Sequence, residues 1–301
     1  MPRNPGFQKR VVVPLRPMKT LVQCYKGAGQ WMNSPPGLGD FIRGTSHLHE
    51  LLSQSGIALR VDLTQSGFDQ HFELDPAIAH QGEAVRVAQA EEYFEDHAAL
   101  IRRVQAFAQS NETTLYVCTN LGAWNRTTLP PETLAFMRRL LRFRPAIHAA
   151  VDAALPVNAY EVLSIRCGDA FYDAGQTPSH LHFMDQAQRL LETEILPRIR
   201  RPLVLTSDSF ELKSALAQRY GLLYLPHRSQ HGAFNGTTLP VAIDLCLLSR
   251  SHFNHHINLW ATWWSGFSHY TSLVFAIPSL NLRAPDFQVE AVGAHGEQSG
   301  A

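Results

Sequence analysis

Three stretches of the 301-residue chain combine residue types suited to an anionic, oxygen-rich ligand. The first is Pro35-Pro36-Gly37-Leu38-Gly39-Asp40-Phe41-Ile42-Arg43-Gly44. Glycines there let backbone N–H groups approach a ligand, and a helix opening at this point offers its N-terminus to a negative charge. The pattern is neither GxGxxG nor a phosphate loop ending in Gly-Lys-Ser/Thr. It also reads as a plain strand-to-helix turn with Asp40 as N-cap. A carboxylate repels phosphate, so Asp40 suits a cap, an acceptor for a sugar hydroxyl, or a base.

The second stretch is Ser164-Ile165-Arg166-Cys167-Gly168-Asp169. Arg166 emerges from the carboxyl end of an apolar run, and ligands of open α/β sheets sit at that edge. A guanidinium there grips a diphosphate through paired hydrogen bonds. Such a grip stabilises a departing nucleoside diphosphate without a metal. The alternative is a structural ion pair between Arg166 and Asp169. The third stretch runs from Asp244 to His252 and then from Asn258 to Ser265, with a helix that carries Asp244 at its start and ends in a polar loop. Asn258, Thr262 and Ser265 could bind phosphate oxygens. Trp260, Trp263 and Trp264 could stack on a sugar or base, or simply pack in the core.

The elements that must position these residues alternate along the chain. Strands are expected at Thr20–Tyr25, Ile57–Leu63, Thr114–Cys118, Glu161–Ile165, Leu203–Thr206 and Leu222–Leu225. Apolar spacing of three and four predicts helices at Asp40–Ser53, Glu91–Gln109, Pro131–Ala154, Leu181–Ile199, Ser209–Tyr220, Ala242–Ser251 and Thr271–Ala276. Strand–helix alternation implies α/β architecture, with parallel sheets covered by helices. Two such sets suggest two Rossmann-like domains facing a cleft, 1–155 and 156–292. Residues 1–17 read as a loose extension and 293–301 as a frayed tail.

Bulk properties exclude several classes. Lys+Arg and Asp+Glu balance at 26 each, so no global field draws in nucleic acid. No run reaches the ~18 apolar residues of a membrane helix, and no secretory leader is visible. A cytoplasmic location is expected. Cys24, Cys118, Cys167 and Cys246 then read as reduced core thiols. The sequons at Asn111, Asn125 and Asn235 would go unused. Fifteen histidines include the close sets His47/His49, His180/His182 and His252/His255/His256. None has the HExxH or Cys/His spacing of a metal site, so no metal is expected. A GxSxG elbow is also missing, which argues against Ser–His–Asp hydrolysis.

Taken in order, the stretches resemble the superfamily of α-1,2-, α-1,6- and protein O-fucosyltransferases. The Arg166 segment is similar to its His-x-Arg-Arg-Gly-Asp motif. Asp244, Leu247, Ser249, Asn258, Trp263 and Trp264 match its later motif at the family's own spacing. Thr206-Ser207-Asp208 resembles its intervening Ser-Asp segment, and Gly37-Leu38-Gly39 its N-terminal glycine loop. The matches span residues 37 to 264. The resemblance implies a GT-B fold, a GDP-sugar donor (GDP-fucose foremost), a glycan or other hydroxyl acceptor, and inverting transfer that needs no metal or other cofactor. Arg166 would hold the donor β-phosphate, and Asp244 would accept from the guanine edge. Gly37, Leu38, Gly39, Arg43, Ser164, Asp208, Asn258, Thr262 and Ser265 would complete the donor site, with Asp40 and Asp169 as candidate bases. Ser164 stands where the motif has His, Cys167 where it has a second Arg, and Leu259 and Trp260 where hydroxyls are usual. These departures leave a second reading, a protein of the same fold that binds a nucleotide sugar or glycan without turnover.

Overall fold

The computed structural model describes residues 19–25, 37–80, 92–94, 96–123, 126–167, 178–229, 238–258 and 265–283. Asp169 and Thr262, the tryptophans near Thr262, the 1–17 extension and the 293–301 tail lie outside them.

Two parallel sheets carry the fold. In the first, β1 (Thr20–Cys24) is flanked by β2 (Ala58–Asp62) and β4 (Thr114–Thr119), with β3 (Glu92–Phe94) outside β4. The second orders β7 (Leu223–Tyr224), β6 (Leu203–Ser207), β5 (Glu161–Arg166), β8 (Asn254–Asn258) and β9 (Ser279–Arg283). Every pairing is parallel. Strands covered on both faces read as nearly continuous apolar runs, which is why the inner strands are legible in the sequence.

The helices are α1 (Leu38–Leu52), α2 (His97–Gln109), α3 (Pro131–Leu140), α4 (Pro145–Ala154), α5 (Pro178–Leu190), α6 (Phe210–Tyr220), α7 (Leu239–Arg250) and α8 (Gly266–Phe275). Local chemistry sets their ends. Asp96, Ser209 and Ser265 cap α2, α6 and α8 through side-chain oxygens. Pro131 and Pro145 open α3 and α4.

Alternation along β5 decides where Arg166 points. Leu163, Ile165 and Cys167 pack in one apolar cluster with Phe183 and Leu191 from the α5 side and Leu212 and Leu216 of α6. Val162 joins another cluster with Leu245 and Leu248 of α7 and Tyr270 and Val274 of α8. By the two-residue period, Ser164 and Arg166 therefore share the α7/α8 face. That second cluster also holds Leu21 of β1 and Phe41 of α1, so one apolar core touches both sheets. The α8 helix lies against α1 and α3. Arg138 Nε of α3 donates to the Val274 carbonyl at 2.6 Å.

Four expectations need correction. The helix expected over 91–109 begins only at His97, because Asp96 caps it by accepting from Ala98 N, and residues 92–94 form β3 instead. The single helix expected over 131–154 is two, α3 and α4. Pro145 lacks an N–H and its ring excludes a helical carbonyl four residues back, and Phe143 there bridges to Phe72. The segment read as a polar loop after α7 contains the wholly buried strand β8. The last helix begins at Gly266 rather than Thr271, and β9 follows it unforeseen.

Candidate functional site

Two helix N-termini and one sheet edge meet in this fold. At the first N-terminus Gly37 is the extended N-cap of α1, with φ −68 and ψ 165. Asp40 is not the N-cap expected from sequence. It sits a turn in and reaches back, its Oδ2 accepting from Gly37 N–H at 3.2 Å. Its Oδ1 lies 3.1 Å from Arg43 Nη2. Asp40 is thus committed to holding the helix start. Arg43, expected at the donor, is only 2 % exposed. Its Nε donates to the Asn120 carbonyl at 2.7 Å, bracing α1 against the loop after β4. Leu38 turns its side chain into the core. With the Gly37 N–H taken by Asp40, Leu38 offers a ligand its backbone N–H, one of the donors a helix's first turn leaves over.

The second N-terminus, that of α8, is pressed against the first. A Cβ on Gly39 would stand 2.1 Å from Phe267 N, and one on Gly266 would stand 3.0 Å from Gly39 C and O. Two backbones this close leave no room for a side chain. Helix starts that converge also converge their positive dipole ends. Ser265 caps α8, and its own N–H donates to Asn258 Oδ1 at 3.0 Å.

Asn258 ties this corner to the sheet edge. It ends β8, paired in register with Arg166 of β5 on one side and Arg283 of β9 on the other. The side chain is 2 % exposed, and among the described residues its buried Nδ2 has no hydrogen-bond partner. Leaving such a donor unpaired costs about 1–3 kcal/mol, and a ligand oxygen would recover it. Arg166 keeps 28 % of its side chain exposed while Nη1 is held by Asp208 Oδ2. The other Asp208 oxygen accepts from Cys167 N–H at 2.7 Å. Asp208 thus pairs with Arg166 and steadies its guanidinium, while Asp169, the partner offered by the sequence, lies outside the described residues. Cys167 faces the apolar cluster behind β5, where burial, and then Asp208, push its thiol pKa well up.

Ser164 lies one residue pair deeper on the Arg166 face, in register with Thr206 and His256. His256 is fully buried, its Nε2 3.1 Å from Ser272 Oγ. Burial first, then His269 and His255, hold its pKa down at about 3. Asp244, on α7, lies against His227 and Ser229. Gly266, His227, Ser229 and Lys213 were not singled out from the sequence. Ser265-Gly266, a capping serine followed by a glycine, is readable as a helix start and was the available signal. Nothing in spacing joins Lys213, His227 and Asp244, which meet only through the fold.

Among the described residues, no three or more His, Cys, Asp or Glu side chains are grouped to hold a metal ion. No described helix is long and apolar enough to cross a membrane.

No protein-family model and no curated protein sequence matches the chain. Solved structures do match in shape. The fucosyltransferase NodZ from Bradyrhizobium superposes with a TM-score of 0.54 at 17 % identity, covering 85 % of this chain and 92 % of its own. NodZ α-1,6-fucosyltransferase co-crystallised with GDP gives 0.53 at 18 % identity, with 85 % and 92 % covered. The form soaked with GDP-fucose gives 0.50 at 18 % identity over the same shares. The chain therefore shares its fold with an α-1,6-fucosyltransferase.

Proposed function

We propose that this chain is an inverting, metal-independent glycosyltransferase that moves fucose from GDP-fucose to a hydroxyl of a glycan. The observation that carries the reading is the corner where Arg166, the buried Asn258 amide and the N-termini of α1 and α8 adjoin. The guanidinium, the amide donor and the two helix starts favour a negative ligand, and a nucleoside diphosphate is the leaving group that a fucosyl donor releases. NodZ, which shares this fold, was crystallised with GDP and soaked with GDP-fucose.

In this reading the donor diphosphate lies against Arg166 and the Asn258–Ser265 turn. The glycosidic bond to the phosphate lengthens as the sugar becomes oxocarbenium-like. Charge then grows on the β-phosphate, where preorganised N–H groups and a cation act most strongly. The acceptor hydroxyl attacks from the opposite face, which inverts the anomeric centre, and gives up its proton. With Asp40 engaged by Gly37 and Arg43, Asp169 is the first carboxylate to test as base.

Calorimetric titration with GDP and a GDP-fucose turnover assay test the reading together. Arg166→Ala should cost about 3 kcal/mol of transition-state stabilisation, by analogy with removing one oxyanion donor. An Arg166→Ala protein with unchanged turnover and GDP affinity would sink the assignment. The commitment of Asp40 and the small Ser164 also favour a second reading, binding without transfer. GDP binding with neither hydrolysis nor transfer would establish it.

A further inference from the structure

The part of the site around Asp244 holds residues that neither the motifs nor the shared fold assigns. Asp244 is 3 % exposed, and each oxygen already has one donor. His227 Nε2 lies 3.0 Å from Oδ1, and Ser229 Oγ donates to Oδ2. Behind His227 stands Lys213, which is fully buried and donates from Nζ to the His227 carbonyl at 2.7 Å. Burial lowers the Lys213 pKa and Asp244 opposes that, so lysine and carboxylate feel each other's charge. Lys213 lies in the first turns of α6, whose cap Ser209 follows directly on Asp208. One short segment therefore connects the partner of Arg166 to the support of Asp244.

This arrangement selects a ligand edge. An ionised carboxylate only accepts, with about two lone-pair sites per oxygen. His227 and Ser229 occupy one site on each, which leaves one on each for two donors side by side. The N1–H and N2–H of guanine are such a pair. Uracil presents a single N–H between two carbonyls, and adenine sets a bare ring nitrogen beside its amino group. Either would aim an acceptor at a carboxylate oxygen. The strand position where the resembling family carries His is Ser164 here, so no imidazole comes from β5. His227 supplies one from the segment after β7.

Resting on the donor site proposed above, we infer that His227 and Ser229 hold the Asp244 carboxylate aimed, and so make the site select guanine. Lys213 is a positioning residue for His227. The test titrates GDP and UDP into the full-length wild-type protein and into His227→Leu, His227→Gln and Ser229→Ala, with thermal unfolding recorded for each. Wild type should prefer GDP by a hundredfold or more, since sites built around a ligand N–H reject analogues lacking it by up to about 10⁴–10⁵. His227→Leu and Ser229→Ala should each weaken GDP about tenfold or more, the scale of one hydrogen bond to a charged group. UDP, carried by its diphosphate, should change less than about twofold. His227→Gln keeps an N–H for Asp244 and should restore most of the preference, which a merely structural role would not predict. A GDP/UDP ratio unmoved by His227→Leu and Ser229→Ala overturns this inference and leaves the donor site standing. So does equal loss of both nucleotides. A wild-type protein that binds neither nucleotide overturns the donor site and this inference with it.

Discussion

Replacing Gly39 by alanine tests the corner on which the functional reading rests. The added Cβ would meet Phe267 N at 2.1 Å, Gly266 C at 2.5 Å and Phe267 Cα at 2.6 Å. All three are backbone atoms, so no rotamer change relieves the clash. One helix start must move by about 1 Å to reach ordinary contact, and overpacking of that kind costs about 1–3 kcal/mol. We expect the upper end, because both partners are anchored: Gly37–Asp40 by the capping contact and Ser265 by Asn258. The midpoint of thermal unfolding should fall by roughly 6 °C, taking about 2 °C per kcal/mol for a chain this size. Moving Ser265 against Asn258 should also weaken GDP about tenfold, the equivalent of one charge-assisted hydrogen bond. Gly266→Ala meets its nearest atoms only at 3.0 Å and should cost less. Gly221→Ala provides the control. Its φ is +64 with nothing within 4 Å, so it should lose about 1 kcal/mol through backbone strain alone and keep its GDP affinity. A Gly39→Ala protein within about 0.5 kcal/mol of wild type in urea unfolding refutes the packing argument. One that is destabilised yet binds GDP normally refutes the link between this contact and the site.

Two further outcomes follow from the same geometry. Asn258→Asp keeps an oxygen for Ser265 N–H but sets a negative charge where the unpaired Nδ2 now lies. GDP affinity should fall at least about tenfold while the far-ultraviolet circular dichroism stays native, and an unchanged affinity would remove Asn258 from the site. Stability should also decline in mild acid. His256 is depressed to about 3 and His47 to about 4, both chiefly by burial. Below the ordinary histidine value of about 6.5, the unfolded chain binds protons that the folded one refuses. The stability these neutral rings contribute is complete above that pH and is lost as pH falls toward the folded values. His256 alone contributes a slope of up to about 1.4 kcal/mol per pH unit. Urea midpoints that stay level between pH 7 and pH 5 would contradict it.

Sequence patterning captured the parts of this molecule whose residues act locally. The inner strands Thr20–Cys24 and Glu161–Arg166 are apolar runs, and Arg166 was legible because such a run ends on it. Three motif residues, Gly39, Arg166 and Asn258, do meet around one corner. What stayed hidden depends on distant partners. Asn-His-His-Ile-Asn looks like a loop because the partners of its polar groups come from elsewhere: Glu161 for His255 Nε2, Ser272 for His256 Nε2 and Asn254, Ser265 for Asn258 Oδ1. Arg43 looks like a ligand-facing cation because nothing in its neighbourhood of sequence reveals Asn120, 77 positions away.

These hidden features share a cause that bears on function. A strand that ends at an anion site must deliver polar groups to its tip, and its buried length then needs polar partners as well. β8 shows this in its run from Asn254 to the orphaned amide of Asn258. The same holds for Asp244, whose burial is tolerable because His227 and Ser229 already donate to it. Buried polar groups of this kind are costly unless paired. Their pairing therefore marks out which are structural supports and which are still short of a partner. By that measure Asp208 and Asp40 are engaged as supports, and Asn258 is a described motif residue whose missing partner a bound diphosphate would supply.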